Sequence, residues 1–161
     1  MNKTELQYSV HPPSPFICAY LQQLLPGWPL PAASVLVVLQ KRQSAPLARN
    51  RDTEIDKDRL RECFIKFGCN IARILSKMGH YADPFDPRTG WPLLSPSGQC
   101  QLDDVAVACA ALGYATSTSG GCATIVHPIW GNAVYPSTLL SSAPPAIVES
   151  IAGSVVATLN R

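Results

Sequence analysis

Residues 35–79 read VLVVLQKRQSAPLARNRDTEIDKDRLRECFIKFGCNIARILSKMG, and two hydrophobic periods follow one another within them. Val35 to Leu39 is an unbroken run of β-branched residues and leucine, the pattern of a strand buried on both faces. From Leu60 onward the period changes. Leu60, Phe64, Phe67, Ile71, Leu75 and Met78 recur every three or four positions, and Cys63 and Ile74 widen the stripe. Arg59, Arg61, Glu62, Lys66, Arg73 and Lys77 lie mostly off it, which is the signature of an amphipathic helix. Asp56 or Asp58 is placed to cap its start, Lys77 suits its negative end, and Gly79 suits a left-handed stop. The charged face reads as solvated rather than as an anion site. Between strand and helix, Lys41–Ala48 read as a polar turn and Arg49–Ile55 as an exposed returning strand, so a hairpin is expected here.

Toward the N-terminus, residues 1–13 read as a flexible lead-in. Ser14 can cap a helix with Pro15 at its first position. Phe16, Ile17, Tyr20, Leu21, Leu24 and Leu25 then recur at helical spacing until Pro26 and Gly27 stop them. Toward the C-terminus, residues 80–98 hold the prolines and turn formers of a structured loop. Asp103 and Asp104 read as cap residues of a short helix through Leu112, apolar nearly all round and therefore expected to be buried, with Gly113 ending it. Thr116–Gly121 read as a small-residue turn. Cys122–Ile129 and Ala133–Leu140 read as strands around Trp130-Gly131-Asn132, and Pro144 and Pro145 open a last helix carrying Ile147, Val148 and Ile151. Helices and strands mix without βαβ alternation, so the fold class is α+β, mainly an antiparallel sheet with packed helices, in one domain over residues 14–157.

Composition narrows the function. Of 161 residues, 47% are hydrophobic and only 15% charged, and the net charge of +2 is too small to argue for nucleic acid or an anionic membrane. Ten of the thirteen Lys and Arg fall between Lys41 and Lys77. After Trp91 the charged residues are Asp103, Asp104, Glu149 and Arg161, so the C-terminal part is expected to supply core and also a contact surface. The start carries Lys3 and Glu5 without an apolar run and is not Arg-rich, which makes the cytoplasm the expected compartment, with a mitochondrial location requiring a further N-terminal region. Asn2-Lys3-Thr4 then counts as a chance glycosylation motif. No uncharged run free of Pro and Gly is long enough to span a bilayer, so no membrane span is expected.

Nucleotide, zinc-protease and serine-hydrolase motifs are absent. His11, His80 and His127 stand alone. His127 reads as a hydrogen-bonded strand residue; a dyad with Cys122 is disfavoured because five positions along a strand put two side chains on opposite faces. Asp83 and Asp86 each precede a proline and read as turn starters rather than a carboxylate pair. Of the six cysteines (Cys18, Cys63, Cys69, Cys100, Cys109 and Cys122), Cys63, Cys69 and Cys109 sit in apolar runs and behave as small hydrophobes. Cys122 follows Ser119-Gly120-Gly121, small residues that let another molecule approach, and a thiolate there would be a soft ligand for a transition metal.

Two segments carry a resemblance: YADPFDPRTG at residues 81–90, and LGYATSTSGGCATIVHPIWG at residues 112–131. The first is similar to the aromatic-Ala-Asp, Asp-Pro and Gly pattern of the cobalamin trafficking protein family of methylmalonic aciduria and homocystinuria type D (the cblD family), in its C-terminal domain. The second is similar to that family's Leu-Gly-aromatic helix end, its cysteine and its His-x-x-Trp-Gly. Collinear support comes from Leu24-Leu25-Pro26, from Val35 to Val38 and from Thr53-Glu54-Ile55, so the resemblance covers residues 12–153. It implies a modified nitroreductase-like fold without flavin and a protein that is not an enzyme. It further implies docking on a cblC-type cobalamin-processing protein and routing of cob(II)alamin toward methionine synthase or the mitochondrial mutase, with a cysteine thiolate offered to cobalt. Cys122 becomes the candidate cobalamin and cobalt ligand, and Gly121, His127 and Trp130 the candidate partner interface. The family carries two adjacent cysteines here; the first, thought to meet cobalt, aligns with Gly121 and the second with Cys122. Cys122 replaces the first only if the turn shifts register or bulges. Val126 likewise stands where the family has a basic residue. The alternatives are a flavin-dependent nitroreductase-like oxidoreductase, which would need convergent arginines where only Arg161 follows Trp91, and a purely structural partner of a larger complex.

Overall fold

Every residue from Ser34 to Gln40 is buried, so this strand must be covered on both faces and paired along both edges. In the computed structural model, which describes residues 5–43, 50–119 and 121–161, the elements run β1 (Leu6–His11), α1 (Pro15–Leu24), β2 (Ser34–Lys41), α2 (Arg51–Lys77) and β3 (Ala82–Pro84), followed by α3 (Asp104–Leu112), β4 (Thr116–Ser119), β5 (Cys122–Ile125), β6 (Val134–Ser141) and α4 (Pro145–Leu159). Four strands form one antiparallel sheet in the order β1-β2-β6-β3, and β4 and β5 form a separate hairpin. The α+β class with an antiparallel sheet is therefore what the chain folds into.

The alternation of β2 divides the interior in two. Val35, Val37 and Leu39 point into a core with Ile17, Leu21 and Leu24 of α1, Trp28, and Ala108 of α3. Leu36 and Val38 point the other way, onto Phe64, Phe67, Ile71 and Leu75 of α2 and Val148, Ile151 and Val155 of α4. A Cβ added to Gly68 would stand 2.9 Å from the Pro84 Cβ, so α2 and β3 approach more closely at this glycine than an alanine would permit. Helix α2 ends as the sequence predicts, with Gly79 at φ +88°.

Several expectations are corrected. Within the expected lead-in, Leu6–His11 pair with β2 from Leu6↔Gln40 to His11↔Val35 and form an edge strand. Its half-buried mixture of Gln7, Ser9 and His11 with Leu6, Tyr8 and Val10 gave no strong signal. The hairpin expected after β2 does not form with Arg51–Ile55. Asn50 caps α2 instead, its Oδ1 accepting from Thr53 N at 2.9 Å, and the helix begins at Arg51, ahead of Asp56 and Asp58. The edges of β2 are taken by β1 and β6. Ser44–Arg49, in the expected turn and at the start of the expected return strand, lie outside the described residues. Met78, placed on the apolar stripe, is the C-cap and is 51% exposed. Helix α3 is half-buried rather than engulfed, with only Asp104 and Ala108 fully covered. Thr116–Ser119, read as a turn, is strand β4, and β5 stops at Ile125 rather than Ile129. Serine and threonine there disguised an edge-type hairpin as a loop.

Candidate functional site

Helix α3 delivers the chain to the site. Asp103 caps it, accepting from Ala106 N at 3.1 Å, and Gly113 ends it at φ +70°. The β4–β5 hairpin then projects from the helix end, in register from Thr116↔Ile125 to Ser119↔Cys122 with no bulge. Ile125 is buried in the core, so alternation puts Cys122 and Thr124 on the opposite face of the hairpin. Cys122 is exposed and its thiol is free. Gly121 beside it has φ +82°, a left-handed conformation that a cysteine would adopt only with strain.

At the hairpin's base the chain folds over His127. Its main chain exchanges both hydrogen bonds with Gly131, at 2.7 and 2.9 Å. The imidazole Nδ1 accepts from Ile129 N and Trp130 N, both at 3.1 Å. Backbone amides can only donate, so the proton sits on Nε2, which donates to Gln7 Oε1 of β1 at 2.9 Å. Trp130 stacks on the ring at 4.3 Å and 14°, and Tyr114 meets it edge-on at 5.6 Å. Burial lowers the His127 pKa, which keeps the ring neutral. With both nitrogens occupied, His127 is neither a base for Cys122 nor a ligand; it is a hydrogen-bonded structural residue that positions the loop. That loop carries Val126 and Ile129, 40% and 79% exposed, next to the half-buried Trp130.

The structure separates the remaining candidates. Asp83 accepts from Leu93 N, Leu94 N and Ser95 N at 3.0, 3.0 and 2.7 Å, and burial raises its pKa against those bonds. Asp86 holds Arg61 through two bonds of 2.7 and 2.6 Å, which pull its carboxyl below the usual range. Asp86 starts the turn to Gly90, as its proline context suggested, whereas Asp83, expected to do the same, lies in β3 opposite Leu140 and ties down the 93–95 loop. Cys109 has its pKa raised by burial. Among the described residues no group of three His, Cys, Asp or Glu side chains is placed to hold a metal. A single thiolate can therefore serve only a metal whose other ligands come from elsewhere. Asp104, read as a cap, is instead a buried carboxyl; nothing in the spacing distinguished it from Asp103. No helix of the described residues is long and apolar enough to cross a membrane.

Fold and site together define an α+β domain built on a four-stranded antiparallel sheet that presents an exposed thiol on a separate hairpin, above a loop locked by a neutral histidine. Residues 1–151 match the family model of the methylmalonic aciduria and homocystinuria type D protein, and the chain belongs to that family. It is 27% identical over 122 residues to the cobalamin trafficking protein CblD of Homo sapiens, covering 74% of this chain and 41% of that protein. Against the protein of the same name from Gallus gallus it is 26% identical over 123 residues, covering 75% and 42%. The Mus musculus protein is 25% identical over 122 residues. The chain thus spans about two fifths of the length of the curated relatives it matches.

Proposed function

We propose that this chain is a cobalamin trafficking domain. It docks on a cblC-type cobalamin-processing protein and guides cob(II)alamin to its target enzymes, methionine synthase among them, acting by hand-over rather than catalysis. Cobalamin is a transient cargo shared with the partner, and the domain carries no flavin of its own on its modified nitroreductase-like frame. The observation that carries the reading is the exposed, free Cys122 at the end of a hairpin outside the main sheet, in a chain whose curated relatives are named cobalamin trafficking proteins. A thiolate is a soft ligand suited to cobalt, and a hairpin tip can reach a metal seated in another protein. The register shift or bulge that would put Cys122 in the place of position 121 is not present in the described pairs, so in this reading Cys122 offers its thiolate from its own face of the hairpin. Ile129, Val126 and Trp130 supply an apolar contact surface nearby, with Gly121 at the tip and His127 fixing the loop beneath.

The test is the absorbance spectrum of cob(II)alamin on the processing protein before and after this chain is added. A shift toward a thiolate-ligated spectrum is expected, and Cys122→Ser should remove it while the two proteins still co-elute in gel filtration. A shift that survives the substitution would remove Cys122 from the ligand role. Co-elution without any shift would leave a docking protein and no thiolate transfer.

A further inference from the structure

His127 joins two distant parts of the chain, and the far end of the join is Gln7, 120 positions away on β1. Gln7 lies on an exposed edge-strand position, yet its Oε1 accepts from Nε2 of an imidazole that is only 3% exposed. Strand β1 pairs with β2 along its whole length, so one side chain moors residues 127–131 to the main sheet. The hairpin just before them has no such mooring, because β4 and β5 pair only with each other.

The mooring closes the loop only with a neutral ring. Nδ1 accepts from Ile129 N and Trp130 N, both at 3.1 Å. A proton on Nδ1 would bring three N–H hydrogens to one point and leave both amides without their acceptor. An amide oxygen at Nε2 leaves the ring neutral, whereas a carboxylate in the same place would favour the imidazolium. The other neighbours bring no charge: Trp130 stacks on the ring from the loop, and Tyr114 meets it edge-on from the segment after α3. Burial alone lowers the His127 pKa, so neither Glu5, two positions before Gln7, nor another charge of the described residues acts on the ring. A cleft of about 160 Å³ lined by Gln7 and Tyr114 opens beside the pair and lets water reach it.

We propose that Gln7 is the positioning residue of this loop: through neutral His127 it holds residues 127–131 closed on the edge strand, and protonation of the imidazole releases them. A depressed pKa means that the closed state is complete at neutral pH and is lost as pH falls below 6.5. On the docking reading above, on which this consequence rests, Val126, Ile129 and Trp130 form one contact surface only while the loop is closed. Docking then weakens in acid.

The test follows the amide resonances of Ile129 and Trp130 and the His127 imidazole by NMR, on the whole chain without a partner, from about pH 8 to about pH 5. In the wild type the two amides should leave their bonded positions as the ring takes up its proton. Gln7→Glu should move that midpoint up by about one pH unit or more, a shift that a merely structural Gln7 would not produce. Amides that stay bonded while the ring titrates would overturn the proposal, as would a midpoint no higher in Gln7→Glu than in the wild type. If Gln7→Glu does not fold, Gln7→Leu takes its place. Its Ile129 and Trp130 amides should then exchange about threefold faster than those of the wild type at neutral pH, with Val37 as reference, and equal exchange overturns the role of Gln7. Co-elution with the processing protein near about pH 6 keeps the two readings apart. A loop that opens in Gln7→Glu without loss of docking leaves the Gln7 lock standing and removes the loop from the docking surface.

Discussion

Asp104 and His127 are both buried and titratable, and they tilt the pH dependence of stability in opposite directions. The Asp104 pKa rises from 3.8 to about 7 on folding, mainly through desolvation. The folded state then holds a proton that the unfolded chain has already lost. Stability from this group is complete below pH 3.8, falls as pH rises, and is gone above about 7. His127 is depressed by burial, so the unfolded chain takes up its proton first, and its contribution is lost as pH falls below 6.5. Comparison with Asp104→Asn isolates the first effect. Near pH 5 the folded wild type keeps a proton that its unfolded chain has already lost, so about one pKa unit of that contribution is gone there. From pH 5 to pH 8 the variant should gain on the wild type by about 3 kcal/mol, the worth of the two pKa units that remain. Urea unfolding at the two pH values reads this directly, and a wild-type-to-variant difference that does not move with pH would mean that Asp104 titrates alike in both states.

Elements were legible where one physical signal dominated. The stripe from Leu60 to Leu75 and the run from Val35 to Leu39 named α2 and β2 because burial there is extreme, and extreme burial leaves a clean period. Strand β1 was missed because it is a half-buried edge, and β4 because serine and threonine serve turns and exposed strands alike. The candidate site was legible in part. The small residues before Cys122 allowed an exposed thiol without requiring one, and the exposure itself comes from the structure, whereas the hydrogen-bonded role of His127 was the reading its isolation favoured. The bonds that neutralise His127 come from the loop after it and from Gln7 on β1, a contact that no local pattern encodes. Gly68 is a further case where tertiary contact outvotes propensity. In a free helix Gly68→Ala would stabilise by about 1 kcal/mol. Here the new methyl meets the rigid ring of Pro84 at 2.9 Å, and overpacking of that kind costs about 1–3 kcal/mol. The expected outcome is a net loss of about 1 kcal/mol in urea unfolding. A gain in stability would mean that β3 yields easily and that α2 is not held against it.

For the molecule as a whole, the two cores share one sheet and the hairpin does not. Strands β2 and β6 are paired along both edges and covered on both faces, whereas β4 and β5 pair only with each other. Local opening is easiest where few buried contacts and few shared hydrogen bonds must break. Amides of Val35–Leu39 and Thr138–Leu140 should therefore exchange with solvent most slowly, and those of Ser117–Ser119 and Cys122–Thr124 at least about a hundredfold faster. That contrast gives the Cys122 hairpin freedom to adjust to a partner while the sheet stays rigid. Equal protection of the hairpin and the central strands would remove this freedom, and with it the physical basis for reaching a metal held elsewhere. The same measurement locates docking. Adding the cobalamin-processing protein should slow exchange in the hairpin and at residues 126–131. The aromatic pair Phe16 and Tyr20 on α1, stacked at 4.7 Å and exposed, should stay as it was. Protection appearing on α1 instead would move the partner to another face of the domain and leave Cys122 out of its reach.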